Sequence, residues 1–255
     1  MSASTLISVR NASKVFSGFR AVDDVTFDVA AGSITAVIGP NGAGKSTLFN
    51  LITGKLAPTT GAILYKGADI TRIGPEDRVR AGFGRTFQRT SIFQGLSVAD
   101  NLRASFIAGH GATWSLFSSA ARQFNPQINA LLARFTLADK VQVEAGTLAH
   151  GDQKQLELAM ALAQSPDVLL LDEPLAGMSP NETRQSVLTI VKEVRERGIT
   201  LLFTEHDIDV VFSIADSIVV LDKGQVVAIG DPLTIRADAR VKAVYLGAAD
   251  EAAHA

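Results

Sequence analysis

Residues 39–47 read Gly-Pro-Asn-Gly-Ala-Gly-Lys-Ser-Thr, and the fold turns on how that stretch is built. Glycines at 39, 42 and 44 let the backbone take conformations closed to other residues and approach another group with no Cβ in the way. Before it, Ser-Ile-Thr-Ala-Val-Ile at 33–38 predicts a buried strand; after it, apolar residues at helical spacing predict a helix over 45–53. A strand, a glycine-rich turn and a helix start bring consecutive N–H groups and the positive end of the helix dipole to one point. Such a point binds an anion.

The spacing G-x-x-x-x-G-K-[ST] is the P-loop pattern, and it stands here in the strand–turn–helix context that the pattern requires. In that reading Gly39, Asn41, Gly42, Ala43, Gly44, Lys45, Ser46 and Thr47 surround the phosphates of a nucleotide. Lys45 reaches the β- and γ-phosphates, and the Ser46 hydroxyl ligates Mg²⁺. A second stretch, Val168-Leu-Leu-Leu-Asp-Glu-Pro174, is a buried strand ending in two acids, where ligands bind in α/β sheets. Asp172 is suited to hold Mg²⁺, directly or through water, and Glu173 to polarise an attacking water. Alone, the pair would read as an acidic turn after a core strand; beside the P-loop it reads as the rest of a nucleotide site.

Further out, short β-rich runs alternate with helical stretches, which predicts an α/β fold with a mostly parallel sheet. Strands are predicted at 168–171 and 200–203, and strands 218–221 and 225–229 flank Lys223-Gly224 as a hairpin turn. Segments 7–10, 22–29 and 62–65 predict a smaller antiparallel β subdomain. From 91 to 163 the pattern turns helical, with helices over 100–108, 126–135 and 153–163, and another helix is predicted over 182–196. The expected organisation is an α/β core of 1–90 and 164–247, an inserted helical subdomain at 91–163, and a tail from 248. Residues 109–125 hold the single tryptophan in an irregular insertion. There, Trp114 and Phe117 pack either on a membrane partner or on their own loop.

Composition sets limits. The chain has 255 residues, 47% hydrophobic and 20% charged, with a formal charge of −2; this gives no support for a nucleic-acid partner, which usually needs a basic face. Cysteine is absent, which removes disulfides and thiolate metal sites. The four histidines are scattered, and no run reaches the roughly 18 apolar residues that span a bilayer. No signal peptide is evident, so a cytoplasmic chain is expected.

With both motifs in place, the sequence resembles the ABC ATPase family, whose core is the RecA-like P-loop NTPase fold. Leu148-Ala-His-Gly-Asp-Gln153 occupies the place of its LSGGQ signature and opens a predicted helix. In the family the signature caps the γ-phosphate bound to the opposite subunit, which implies contacts to ATP from Ala149, Gly151 and Gln153 in a head-to-tail dimer. Gln88, in Arg85-Thr-Phe-Gln88, resembles the glutamine that senses Mg²⁺ and the attacking water. His206, in Thr204-Glu-His-Asp207, resembles the histidine that contacts the γ-phosphate. Phe16 resembles the aromatic on which adenine stacks, with Phe19 a close competitor.

The sequence also departs from the family pattern. Ala149 replaces the signature serine, His150 replaces a glycine, and Ala176-Gly-Met-Ser179 replaces SALD, so an aspartate is missing. GDQ, the Ser-Pro after residue 178, the 109–125 insertion, residues 207–216 and Val244-Tyr-Leu-Gly247 resemble ATPase subunits of bacterial branched-chain amino acid importers. That resemblance implies ATP and Mg²⁺ as ligands and a second ATPase chain, identical or related, as partner. It also implies permease subunits in the membrane, a periplasmic binding protein, and a place on the inner face of the cell membrane. Competing readings are a lipid or lipopolysaccharide exporter ATPase, a soluble ABC ATPase of DNA repair or translation, and a small-molecule P-loop kinase.

Overall fold

The computed structural model describes residues 4–85, 92–109 and 124–245. The chain forms two compact units, Met1–Ala81 with Gly198–Ala255, and Gly82–Arg197.

In the first unit, β1 (Thr5–Phe16) pairs antiparallel with both β2 (Phe19–Ala30) and β4 (Thr60–Tyr65), and β5 (Ala68–Asp69) completes the order β2-β1-β4-β5. Alternation along β2 buries Val22, Val25, Phe27 and Val29, and Ile7, Val9 and Ile63 close the same core. Each fully buried aliphatic side chain of this kind stabilises the fold by about 1.5–3 kcal/mol. β1 and β2 are longer than the runs predicted at 7–10 and 22–29. Bulges along β1 break its apolar alternation, and a two-residue turn joins the strands, with Ser17 and Gly18 both at positive φ (45° and 90°). That geometry fits the right-handed twist of a hairpin. Lys223-Gly224, predicted as a hairpin turn, uses the same device between β9 (Ser217–Asp222) and β10 (Gln225–Gly230).

A second set of strands holds β3 (Ile34–Ile38), every residue of which is buried. β3 runs parallel to β8 (Thr200–Thr204) on one side and to β9 on the other. Strands covered on both faces read as unbroken apolar runs, which is why they were legible. Helix α1 (Lys45–Ile52) leaves the end of β3 and buries Leu48, Phe49, Leu51 and Ile52.

A short helix unmarked by periodicity, α2 (Pro75–Arg80), carries Arg78, which is 1% exposed. Its guanidinium donates to the carbonyls of Leu51 (2.8 Å), Ile73 (3.0 Å) and Ile70 (2.5 Å), and to that of Ile52. Leu51 and Ile52 end α1, where carbonyls have no partner within the helix. Arg78 therefore caps α1 from another element, and burial lowers its pKa to about 10.

In the second unit, β6 (Phe83–Arg85) runs parallel to β7 (Val168–Asp172). Helices α3 (Val98–Gly109), α4 (Asn125–Arg134) and α5 (His150–Ala163) pack through Leu102, Phe106, Ile128, Leu131, Leu156 and Leu162. Phe106 stacks on Phe124 with ring centroids 5.4 Å apart. Asn101, fully buried, accepts from the Phe93 N–H (2.7 Å) and donates to the carbonyls of Phe93 and Ser97, fixing the chain ahead of α3. Helix α6 (Pro180–Arg197) buries Glu193, which the guanidinium groups of Arg134 and Arg197 neutralise at 2.5 and 2.6 Å. The unit takes in β7 and α6 as well as the helices predicted within 91–163.

Candidate functional site

The predicted site residues fall in both units. In the first, residues 39–44 join the end of β3 to α1. Gly39 has φ 152°, and a Cβ there would lie 2.1 Å from the Leu221 carbonyl oxygen of β9. Gly44 has φ 98°, and a Cβ there would lie 2.3 Å from the Ala21 carbonyl oxygen of β2. In both cases the obstacle is backbone of another strand, so no side-chain movement makes room. From behind, the Gly224 N–H donates to the Ala43 carbonyl at 3.1 Å, and the Asp23 N–H donates to the Gly224 carbonyl at 2.8 Å. The β9–β10 hairpin and β2 thus form a backbone brace under the loop.

Lys45 is buried, and its ammonium donates to the Gly39 and Pro40 carbonyls at 2.7 and 3.0 Å. Asn41 and Gly42 are exposed at the loop's crest, and Ser46 and Thr47 are half-buried in the first turn of α1. Helix α1 has no acidic residue in that turn and Gly44 at its N-cap brings no side-chain acceptor, which leaves the helix start positive. Tyr245, at the end of the helical residues 239–245, lies with its phenol oxygen against the Gly39 N–H, and burial pushes its pKa up to about 12.

β8 carries His206 to the same edge. Val37 is level with Thr204 in the parallel pair β3–β8, so the chain leaves both strands at their carboxyl ends. His206 is exposed between buried Glu205 and Asp207, which caps α7 (Ile208–Ile214) by accepting from the N–H groups of Asp209 and Val210. Phe16 and Phe19 face each other as the last pair of the β1–β2 hairpin, 42% and 67% exposed. The Lys14 ammonium stands 5.2 Å from the Phe16 ring centroid and donates to the Ala57 carbonyl at 2.8 Å. This fixes one of the two competing aromatics and leaves Phe19 the more exposed.

In the second unit, β7 delivers Asp172, 4% exposed, and Glu173, half-buried at φ 50°. Seven other described non-glycine residues share φ values of 45–54°, so the angle does not by itself mark Glu173 out. Ala149 is the N-cap of α5 and supplies no side-chain bond; Gly151 is buried in the first turn. Gln153 donates through Nε2 to the Leu148 carbonyl at 3.1 Å, which closes the start of the helix on itself. Asp152 in the same turn pairs with Lys140 at 2.7 Å, and that carboxylate raises the lysine pKa. Gln88, Trp114, Phe117, Leu246, Gly247 and the tail from 248 lie outside the described residues.

Sequence reasoning passed over two things. Arg78 had no signal, because nothing in its spacing marks it as buried. Glu182 had one: Ser179-Pro-Asn-Glu182 is the S-x-x-E pattern of a capping box. The Ser179 N–H and hydroxyl donate to Glu182 Oε2 at 2.7 and 2.6 Å, and these bonds are the main reason its carboxyl lies below the usual range. The serine standing where the family has aspartate is therefore the cap of α6.

Among the described residues no group of three or more His, Cys, Asp or Glu is placed to hold a metal ion, and no helix is long and apolar enough to cross a membrane. The model of the ABC transporter family matches residues 22–176. The high-affinity branched-chain amino acid transport ATP-binding protein BraF of Pseudomonas aeruginosa is 36% identical over 252 residues, covering 96% of this chain and 98% of its own length. The lipopolysaccharide export system ATP-binding protein LptB of Escherichia coli K12 is 32% identical, covering 94% of this chain and 97% of its own. Among solved structures, the ATP-binding cassette MJ1267 of an ABC transporter superposes with a TM-score of 0.83 at 29% identity, covering 95% of this chain and 99% of that one.

Proposed function

The chain belongs to the ABC transporter family as an ATP-binding subunit that hydrolyses ATP, and from that premise we propose that it drives an importer of branched-chain amino acids or related small polar solutes. The observation that carries the proposal is the similarity to BraF along 96% of the chain. The GDQ signature and the 109–125 insertion point the same way. LptB, at 32% identity, supports lipid export as the second reading.

In this reading Lys45 and the N–H groups of 39–47 bind the phosphates of ATP, and Phe16 stacks on adenine. Ser46 and Asp172 are hard oxygen donors that suit Mg²⁺, with Gln88 a third. Mg²⁺ keeps several waters and is held by one or two carboxylates plus substrate phosphates, in line with so sparse a set of protein acids. When bound, the ion would neutralise charge on the β- and γ-phosphates. Glu173, directly after Asp172 at the end of β7, orients and deprotonates the attacking water. His206 holds the γ-phosphate. Ala149, Gly151 and Gln153 cap the γ-phosphate of a partner ATPase, identical or related. Closure of that pair moves permease subunits fed by a periplasmic binding protein, with this chain on the inner face of the membrane.

Glu173→Gln tests the reading. Phosphate release is expected to fall about 10²–10⁴-fold, the usual contribution of a general base, while ATP still binds. Turnover at the wild-type rate would remove Glu173 from its role. The same variant, extracted from native membranes in mild detergent with ATP, is expected to carry two different multi-span proteins, a second ATPase and a periplasmic binding protein. A single lipid-type permease would replace import with export.

A further inference from the structure

Gly151 lies in the first turn of α5, and its φ is not positive. Alanine would therefore suit its backbone and favour the helix. What excludes a Cβ there is Glu182 of α6. The three heavy atoms nearest to that Cβ would be Glu182 Oε1 at 2.2 Å, Cδ at 2.8 Å and Oε2 at 3.4 Å. No other atom would lie nearer than the last of these, which is ordinary van der Waals contact. Within this chain, the demand for glycine at 151 thus comes from one carboxylate.

That carboxylate is held from its other side. Oε2 accepts from the Ser179 N–H at 2.7 Å and from its hydroxyl at 2.6 Å, so turning the carboxylate aside would break the cap of α6. The start of α5 also touches the loop 173–179 directly, since a Cβ at Gly177 would lie 3.0 Å from His150 Nε2. Beneath, Gln155 Nε2 donates to the buried Ser186 hydroxyl, whose proton is shared between the Glu182 carbonyl (2.7 Å) and the Met178 sulfur (3.3 Å). This buried junction holds α5, α6 and the loop together even when the Glu182 carboxylate is removed.

We propose that Glu182 is a positioning residue for ATP turnover: its carboxylate sets the start of α5 against the capped loop after Glu173, and this contact, rather than the approach of nucleotide, demands glycine at 151. The proposal rests on the reading of Ala149, Gly151 and Gln153 as the cap over a partner's γ-phosphate. Backbone N–H groups that meet a phosphate act only at hydrogen-bond distance, so a displaced turn costs turnover. The chain's own P-loop lies in the other unit. A fault at Glu182 therefore lowers kcat and leaves the KM for ATP unchanged.

The test is ATP turnover, and urea unfolding without nucleotide, of the full chain as wild type, Gly151→Ala, Glu182→Ala, Glu182→Gln and the double variant Gly151→Ala/Glu182→Ala. Gly151→Ala is expected to lower kcat about tenfold at unchanged KM, short of the roughly 10²-fold that an ångström of misplacement can cost. It should also lower the urea midpoint. In the Glu182→Ala background the same substitution should change sign, raising the midpoint because alanine now fits and favours the helix. The double variant should turn over ATP no more slowly than Glu182→Ala, and Glu182→Gln, which keeps the shape, should stay nearer to wild type than Glu182→Ala. A double variant as slow as Gly151→Ala, or the same sign in both backgrounds, would assign the glycine to the nucleotide and overturn the proposal. Wild-type kcat in Glu182→Ala would overturn it as well. Light scattering of Glu173→Gln with ATP judges the underlying reading separately: a chain that does not pair sinks the capping role of 149–153, while the reversal in urea still judges the contact.

Discussion

The loop at 39–44 and, in the other unit, the segments 149–151 and 176–179, which lie against each other, are both glycine-bearing turns beside a helix, yet they are held by different means. Around the loop, the obstacles at Gly39 and Gly44 are carbonyl oxygens of β9 and β2, at 2.1 and 2.3 Å from a would-be Cβ. At Gly151 and Gly177 the obstacles are the ends of the Glu182 and His150 side chains. Backbone cannot step aside, whereas a side chain can turn or be exchanged. The first region therefore demands glycine outright, whereas a Cβ at Gly151 would need only the end of the Glu182 side chain to turn aside.

That contrast breaks first at Gly39. Gly39→Ala forces a Cβ into Leu221, and the variant is expected to lose about 3 kcal/mol of stability and about tenfold or more in ATP affinity. Gly42→Ala meets nothing within 4 Å and is expected to cost only the strain of positive φ, about 1–2 kcal/mol. Urea melts and nucleotide titration of the two variants compare them; equal losses would mean that φ, and not the strand behind the loop, sets the demand.

Arg78→Met probes the far end of the same helix. It removes the guanidinium's bonds to the carbonyls of Leu51, Ile52, Ile70 and Ile73, of which Leu51 and Ile70 keep backbone donors in Gly54 and Ile73, and it also removes a buried charge, so a net loss of about 2 kcal/mol in urea is expected. No loss would mean that water replaces the guanidinium.

The smallest effect belongs to the side-chain region. Ser179→Ala removes the cap of α6 and is expected to cost about 1 kcal/mol at neutral pH. The sign with pH follows from Glu182, whose folded pKa is depressed below 4.5. The stabilisation is present above that value and is lost as pH falls through the folded one. The gap between wild type and Ser179→Ala in thermal melts should therefore shrink in acid; a gap that widened there would contradict the bond to Ser179.

Strands β3, β7 and β8 were legible because burial on both faces leaves continuous apolar runs, and the Lys223-Gly224 turn because a glycine marks it. β1 was read too short, since its bulges disturb the alternation that reveals a strand. α2 and α8 (Pro232–Ala237) were missed because so few turns carry no readable period. The candidate nucleotide residues were legible as motifs, since anion binding by backbone demands glycine at fixed spacing. Arg78 was hidden because a lone arginine in a polar segment looks exposed, and its partners are carbonyls that any residue would supply.

Sequence alone determined the family, the strand–loop–helix of 34–52, and the acids at the end of β7, because each depends on neighbours along the chain. Only the tertiary structure decided that β9 and β2 brace the loop, that Arg78 caps α1, and that His150 answers Gly177 while Glu182 answers Gly151. These contacts join residues far apart in sequence, and their chemistry exists only once the intervening chain has folded back to bring them within reach.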